Sequence, residues 1–298
     1  MSLPYRLHAP GNFPDWVGEG RFVPQHRLPD DIDVTALVYA DALLFVWQGN
    51  RLLWCDADHF PLGTLPDGLT IRRHALLGKL DGRFVLTLEV ADGVEAPAGF
   101  SWTGLRSLFS QIDVGWVALA GRSFQVLEWE RTHQFCGCCA APMRMRSHER
   151  GRECTACSFV AYPRISPVVM GLVVREGQLL LARSPHFAPG MYSAVAGFVE
   201  VGESLEQALV REIQEETGIR AGNFQYFDSQ PWPFPHSLMI AYTAEYLSGE
   251  PVPQPDEIED VRWFDLKALP LLPPPISIAG RLIRAVVAHL QAPASNAQ

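Results

Sequence analysis

The sequence predicts an α+β protein made of three successive parts, and three observations support this prediction. Short apolar runs separated by Gly, Asp and Asn turns occupy residues 1–130, a pattern typical of a small, mostly-β domain. Five of the six cysteines lie within one stretch of 22 residues, inside the segment 131–164. From residue 165 to 292, strand-like runs and helical patterns follow in an order that favours an α/β/α sandwich with a mixed sheet.

Length and composition restrict the function only loosely. The chain has 298 residues, 48% of them hydrophobic, which suffices for a substantial core and for two domains. A net charge of −9 argues against nonspecific nucleic-acid binding as the main role. No apolar run reaches the length of a membrane span, and residues 1–20 lack the apolar core of a signal peptide. A cytoplasmic protein without membrane partners is therefore expected.

The first domain contains four predicted strands and one predicted helix. The strands are expected at 35–39, 42–47, 51–54 and 83–90, where β-branched, leucine and aromatic residues are bounded by turn residues. The pattern becomes helical over 113–133, and this helix is expected to lead into the cysteines. Nothing in the domain points to chemistry by itself.

The cysteines form two C-x₂-C pairs with the spacing of a zinc ribbon. Cys136 and Cys139 make the first pair, and Cys154 and Cys157 make the second, fourteen residues further on. Four thiolates would close a structural Zn²⁺ site and leave no position for a catalytic water. Cys138 lies inside the first pair, so it could replace one of the ligands.

Basic residues recur at every second position between the two cysteine pairs. On a strand this spacing places them on one face, and a solvated strand face is the expected structure. The alternative is a stripe that contacts the phosphates of an extended substrate, such as RNA behind a nucleotide cap. The residues are Arg144, Arg146, His148, Arg150 and Arg152.

Residues 204–218 predict a helix with a defined start and end. Ser204, followed three residues later by Gln207, is a capping box, and Gly218 is the expected C-cap. The helix should therefore span 205–217. Its apolar stripe consists of Leu205, Ala208, Leu209 and Ile213.

Three glutamates of this helix occupy positions that suit apolar residues or are electrostatically unfavourable. Glu212 and Glu216 share the azimuth of the helix leucines, and Glu215 lies about one residue's rotation to the side. All three crowd the last turn, where the helix dipole disfavours carboxylates. A bound Mg²⁺ or Mn²⁺ would resolve this conflict. A solvated acidic helix end paired with Arg211 is the alternative, but a solvated face would not share the azimuth of the leucines.

The stretch 229–237 carries prolines at 231, 233 and 235. Proline fixes φ and removes a backbone donor, so this stretch cannot form an interior strand and is expected to be a stiff, exposed loop. Trp232 and Phe234 stand between the prolines, where their rings could line a pocket. Prolines that end a strand, with the two rings packed on the sheet, are the structural alternative.

Two motifs resemble a known family. Gly197, Glu203 and the run 211–219 match every fixed position of the Nudix box, so the chain is similar to Nudix hydrolases, which cleave nucleoside diphosphates linked to another moiety. The stretch 229–237 resembles the SQPWPFPxS array of the NADH pyrophosphatases residue by residue, and residues 269–279 are similar to their C-terminal segment.

The resemblance implies hydrolysis of NADH or NAD⁺ to the nicotinamide mononucleotide and AMP, and with it removal of an NAD cap from RNA. It also implies a homodimer. Arg211 and Glu203 would orient the helix and loop, and either Glu215 or Glu216 would polarise the attacking water. The implied ligands of Mg²⁺ or Mn²⁺ are Glu212, Glu215, Glu216, Glu257 and the Ala196 carbonyl. The implied substrate-binding residues are Arg106, Glu149, Tyr162, Phe198, Gln230, Pro231, Trp232, Pro233, Phe234, Pro235, His236, Ser237 and Ala279.

Two other functions remain open at this point. A Nudix hydrolase of ADP-ribose or another nucleotide sugar would keep the box, but the proline and aromatic array argues against it. A noncatalytic module that binds nucleic acid and senses a nucleotide would not need the intact acids of the box.

Overall fold

The computed structural model describes residues 19–28, 33–38, 42–56 and 59–292, and the chain divides into two compact units. The N-terminal unit contains the described residues up to Arg164 together with Pro233–His236. The C-terminal unit contains Ile165–Trp232 and the described residues from Ser237 onward. None of the described helices is both long enough and apolar enough to cross a membrane.

The N-terminal unit is built on a six-stranded sheet, as expected for a mostly-β domain. The strands in chain order are β1 (Phe22–Pro24), β2 (Ala42–Gln48), β3 (Arg51–Trp54), β4 (Ile71–Leu80), β5 (Arg83–Val90) and β6 (Ser101–Gly104). Their order across the sheet is β1-β4-β5-β2-β3-β6, with only the β2–β5 pair parallel. Helix α2 (Val114–Thr132) packs on this sheet through Phe124 and Leu127 against Trp47 and Leu77. The sheet and the helix thus bury one common core.

The strand predicted at 35–39 is wrong. Val34–Leu37 form a single helical turn, α1, which begins at Asp33. The Asp33 carboxylate accepts a hydrogen bond from the Thr35 amide at 2.8 Å, so an N-cap determines the conformation of this short segment. Residue 39 lies outside the described residues.

A three-stranded antiparallel sheet forms the cysteine-rich segment. Its strands are β7 (Met143–Met145), β8 (Arg152–Cys154) and β9 (Val160–Ala161). The predicted basic face is wrong, because β7 ends before the alternation is complete. Arg150 donates to the Gln25 and Leu76 carbonyls, each at 2.6 Å, and Arg152 pairs with buried Glu130. These two arginines therefore bond to groups within the N-terminal unit and do not form part of a solvated stripe.

The C-terminal unit is an α/β/α sandwich around a mixed sheet. Its strands are β10 (Ser166–Arg175), β11 (Gln178–Arg183), β12 (Val195–Phe198), β13 (Arg220–Trp232), β14 (Ser237–Ser248) and β15 (Asp260–Asp265). The order is β13-β14-β10-β11-β15, with β12 also paired to β10 and only the β10–β14 pair parallel. Helices α3 (Leu205–Thr217) and α4 (Ile278–Gln291) complete the unit.

Strand β10 shows why the two helices lie on opposite faces. Val169 packs with the Leu209 side of α3, whereas Met170 and Leu172 belong to the core that contains α4. A Cβ atom on Gly171 would lie 2.8 Å from Cδ1 of Ile213, so glycine permits the close approach of α3 to the strand. Alternation with a period of two therefore places the acidic helix on one defined face of the sheet.

The array at 229–237 is only partly the exposed loop that was expected. Residues 229–232 belong to β13, which pairs antiparallel with the start of β14. Strand β13 is an edge strand, where the missing donor of Pro231 is tolerated. The connecting turn consists of Pro233–His236 alone.

Candidate functional site

Helix α3 carries a partly buried network of ion pairs centred on Arg211. The helix has the predicted bounds, a reciprocal capping box at Ser204, and Gly218 in the left-handed conformation. Arg211 donates to both oxygens of Glu203 at 2.6 and 2.8 Å, to Glu212 at 2.7 Å and to Glu215 at 3.2 Å. The guanidinium lowers the pKa of Glu203 to about 2, assisted by the amide of Glu200. Arg211 thus contacts two acids of the helix, Glu212 and Glu215, and one acid of the preceding loop, Glu203.

Strand β12 approaches helix α3 closely at Gly197. A Cβ atom at this position would lie 1.9 Å from the carboxyl carbon of Glu212, so only glycine leaves space for that carboxylate. The neighbouring Phe198 carbonyl accepts a hydrogen bond from Arg211 at 3.0 Å, while the Phe198 ring is 59% exposed. Strand β12 and helix α3 are therefore held together around Glu212.

Glu216 is a buried carboxylate that lacks a positive partner. Its residue is 9% exposed, and no hydrogen-bond donor or cation of the described chain contacts its side chain. Burial raises the pKa of Glu216 to about 8, and repulsion from Glu212, Glu257 and Glu215 adds to the effect. Burial likewise raises the pKa of Glu212. An uncompensated cluster of oxygens suits a divalent cation such as Mg²⁺ or Mn²⁺.

These acids are more widely separated than the cysteine ligands are. Within the part of the chain that the structure describes, no three of the four acids bring ligand oxygens within 4.8 Å of one another. An open arrangement of carboxylates suits an ion that keeps waters and binds substrate phosphate.

A cleft of about 340 Å³ in the C-terminal unit contains Glu216 in its lining. Ala196, Glu257, Trp232 and Ala279 line the same cleft. The remaining lining residues are Met170, Ala182, Ser184, Phe187, Ser193, Ala194, Val195, Met239, Ile258, Ser277 and Ile278. The lining therefore combines two carboxylates with largely apolar and aromatic side chains, which suits a ligand with a charged group and an aromatic group.

Gln230 fixes the N-terminus of α4 beside this cleft. Its side-chain amide donates to the Ile276 carbonyl at 3.0 Å and accepts from the Ile278 amide at 2.7 Å. Gln230 is only 5% exposed, and both of its polar groups are engaged. Ser237, also buried, begins strand β14. We therefore assign Gln230 a positioning role for the segment that carries Ala279.

The turn after Trp232 belongs to the N-terminal unit. The Phe234 ring lies 6.0 Å from the Phe109 ring, and the Arg106 guanidinium lies 4.1 Å above the centre of the Phe234 ring. Pro233 packs on Gly121 of α2, where a Cβ atom would lie 2.9 Å from the proline ring. Pro235 lines the same pocket of about 410 Å³ as Pro233, Phe234 and Arg106, and His236 ends the turn. Arg106 and Phe234 are thus brought together inside one unit.

Tyr162 and Glu149 form a second group in the N-terminal unit. The Tyr162 hydroxyl donates to Glu149 at 3.1 Å and accepts from Arg146 at 3.2 Å, and Arg146 also pairs with Glu149. Tyr162 is 54% exposed, so its ring is available to a ligand. The structure places the two predicted substrate-binding residues in contact.

The four predicted zinc ligands converge. The sulfurs of Cys139 and Cys154 are 3.4 Å apart, and that of Cys157 lies 3.5 Å from Cys139 and 3.7 Å from Cys136. Tetrahedral zinc with Zn–S bonds of 2.3 Å requires sulfur separations of about 3.8 Å. Cys138 is exposed and outside the cluster, and its amide donates to the Cys136 sulfur at 3.3 Å. The thiolates therefore form a closed structural site.

Sequence reasoning missed much of the cleft wall. Met170, Met239 and Phe187 line it, but none belongs to a motif, and Met170 and Met239 appear in sequence as ordinary strand residues. Their alternation on β10 and β14 predicts the buried face but not a ligand. Phe187 lies in the loop 184–190, for which no spacing rule gives a position.

Family models match most of the chain. A NUDIX domain matches residues 164–285, an NADH pyrophosphatase-like rudimentary NUDIX domain matches 33–129, and an NADH pyrophosphatase zinc ribbon domain matches 131–160.

Three relatives share 42–48% of their residues with this chain, and each is named NAD-capped RNA hydrolase NudC. The Chromobacterium violaceum protein is 48% identical over 80% of this chain and 89% of its own length. The Deinococcus radiodurans protein is 42% identical over 88% and 92%, and the Pseudomonas aeruginosa PAO1 protein is 47% identical over 80% and 84%.

Proposed function

The chain belongs to the NADH pyrophosphatases of the Nudix hydrolase family, and we propose on this basis that it hydrolyses the pyrophosphate bond of NADH and NAD⁺. The products are the nicotinamide mononucleotide and AMP. The same cut at the 5′ end of NAD-capped RNA removes the cap, which is the activity in the names of the three relatives.

One observation carries this proposal: a single cleft contains Glu216 of the Nudix box and Trp232 of the subfamily array. Glu257, Ala196 and Ala279 line the same cleft. The cleft thus combines carboxylates that can hold a cation with aromatic and apolar side chains that can contact a base, and a dinucleotide carries a diphosphate between two nucleosides. This combination supports a dinucleotide substrate over a simple diphosphate.

The reaction adds water to one phosphorus and breaks the P–O bond to the bridging oxygen. We propose that Glu212, Glu215, Glu216, Glu257 and the Ala196 carbonyl hold Mg²⁺ or Mn²⁺. When bound, the cation neutralises the diphosphate and lowers the pKa of a bound water. Glu215 or Glu216 accepts the proton of the attacking water, and Arg211 holds Glu212 and Glu215 in place.

The remaining assignments are proposals of the same kind. Phe198 and Tyr162 each expose a ring that can contact a base, and Arg106 can reach a phosphate. We also propose a homodimer, and the exposed Phe135, Phe159 and Tyr162 support an interaction surface on the N-terminal unit.

Product analysis with four substrates tests the proposed function. NADH, NAD⁺, NAD-capped RNA and ADP-ribose are incubated separately with the protein, with and without added Mg²⁺ or Mn²⁺, and the nucleotides are separated by chromatography. We expect metal-dependent release of the nicotinamide mononucleotide from the first two substrates and decapping of the RNA. Preferential cleavage of ADP-ribose would favour the nucleotide-sugar alternative, and tight NADH binding without cleavage would favour a sensor.

A further inference from the structure

Phe187 lines the cleft that contains Glu216 and belongs to the loop 184–190 between β11 and β12. Two features, the aromatic and apolar lining of the cleft and the anchoring of this loop, give Phe187 a specific role. The inference drawn from them rests on the proposed hydrolysis of NADH.

Two aromatic side chains, Phe187 and Trp232, line the cleft, and Met170 and Met239 are among its apolar lining residues. Neither methionine can hydrogen-bond a base strongly, so recognition by these four side chains depends on shape and on contact with ring faces. Trp232 belongs to the array that distinguishes the subfamily. The aromatic moiety that distinguishes the substrate is therefore expected to contact these aromatic side chains.

The backbone of the Phe187 loop is fixed by one arginine. The Arg183 guanidinium donates to the Ala188 carbonyl at 2.6 Å and to the Phe187 and Met191 carbonyls at 3.3 Å each. The Phe187 amide donates to the Ser184 carbonyl at 3.0 Å, which closes a tight turn. The largely buried Arg183 side chain binds these three carbonyls. It therefore holds the Phe187 backbone in place before any ligand binds.

The same arginine connects the loop to the segment that carries Glu257. Arg183 forms a 2.8 Å ion pair with Glu259, and the Glu259 amide donates to the Arg183 carbonyl at 2.8 Å. Glu259 is two residues from Glu257, which lines the same cleft as Glu216. Arg183 therefore helps to position both the Phe187 loop and the segment of a proposed metal ligand.

ADP-ribose contains every part of NAD⁺ except the nicotinamide base. A residue that makes the cleft prefer NADH over ADP-ribose must therefore act on that base. We propose that Phe187 is a specificity-determining residue whose ring contacts the nicotinamide of the bound dinucleotide, opposite or beside Trp232. An aromatic contact of this kind contributes about 0.5–1.5 kcal/mol, which corresponds to a change of about 2–10-fold in kcat/KM.

Steady-state kinetics of Phe187→Ala and Phe187→Tyr with NADH and with ADP-ribose test the proposal. Phe187→Ala should raise KM for NADH by about 3–10-fold with little change in kcat, and should leave kcat/KM for ADP-ribose near its wild-type value. Phe187→Tyr keeps the ring and should restore discrimination. His186→Ala is the matched control, since it alters an exposed side chain of the same loop that does not line the cleft.

An equal loss of activity on both substrates would overturn the proposal, because it would show that Phe187 only maintains the loop. Unchanged kinetics with NADH would overturn it as well. Failure of the wild-type protein to cleave NADH would instead contradict the proposed function, so the two failures are distinguishable.

Discussion

Glu216 differs from the other two helix acids of the box because its carboxylate is buried without a positively charged partner. The helix periodicity predicts this residue on an apolar face, and the structure places it at 9% exposure without a cationic partner. Glu212 and Glu215, by contrast, both contact Arg211. Arg211 therefore compensates two of the three acids, and we propose that a bound cation compensates the third.

The raised pKa of Glu216 predicts a pH-dependent stability in buffer free of divalent cations. Its pKa rises from 4.5 to about 8 on folding, so the carboxylate opposes folding increasingly as pH rises between these values. Glu216→Gln should therefore be more stable than the wild type at pH 8, by on the order of 3 kcal/mol, and nearly equal to it at pH 5.

Urea denaturation at several pH values measures this difference, and added Mg²⁺ should remove it by stabilising the wild type alone. A free-energy difference that is the same at pH 5 and pH 8 would show that Glu216 is already compensated within the protein.

Single residues differ in how far sequence can predict them. The need for glycine at 197 follows from the motif, but its reason, the 1.9 Å approach of a Cβ atom to Glu212, is visible only in three dimensions. Gln230 is predicted to bind substrate, and the structure adds that both of its polar groups bond to the backbone of residues 276 and 278. Ile278 is 48 residues away from Gln230, so no local sequence pattern could predict this hydrogen bond.

At the scale of elements, sequence prediction succeeded where local chemistry determines the structure. Helix α3 begins and ends as its capping box and C-terminal glycine predict. Prediction failed at 35–39, where one Asp33 cap outweighs β propensity, and at 229–232, where an edge position accommodates a proline. The β propensity of residues does not indicate whether a strand lies at the edge of a sheet.

The zinc ribbon permits a test with two neighbouring, equally exposed cysteines. Cys139→Ser should lose most of the bound zinc, because it removes one of the four converging sulfurs. Cys138→Ser should keep about one zinc per chain and unfold within ~0.5 kcal/mol of the wild type, since only its backbone amide contacts the site. Zinc content by atomic emission and urea denaturation measure both effects, and loss of zinc in Cys138→Ser would refute the assignment of ligands.

At the scale of the whole molecule, the array at 229–237 divides between the two units. Residues 229–232 line or support the cleft of the C-terminal unit, and Pro233–His236 pack within the N-terminal unit. The order of strand-like and helical patterns predicted the mostly-β class of the N-terminal unit and the α/β/α sandwich of the C-terminal unit, because these classes follow from local periodicity. The sharing of one motif by two units depends on tertiary packing and could not be predicted from spacing.

The central claim is that Glu216 and its cleft form the hydrolytic site for NADH. Turnover of NADH by Glu216→Gln, measured as release of the nicotinamide mononucleotide in saturating Mg²⁺ with zinc content and folding verified, tests it most directly. We predict a loss of kcat of at least about 100-fold in a folded, zinc-containing protein, as expected when a group acting on the transition state is removed. Turnover within a few-fold of the wild type would contradict the account.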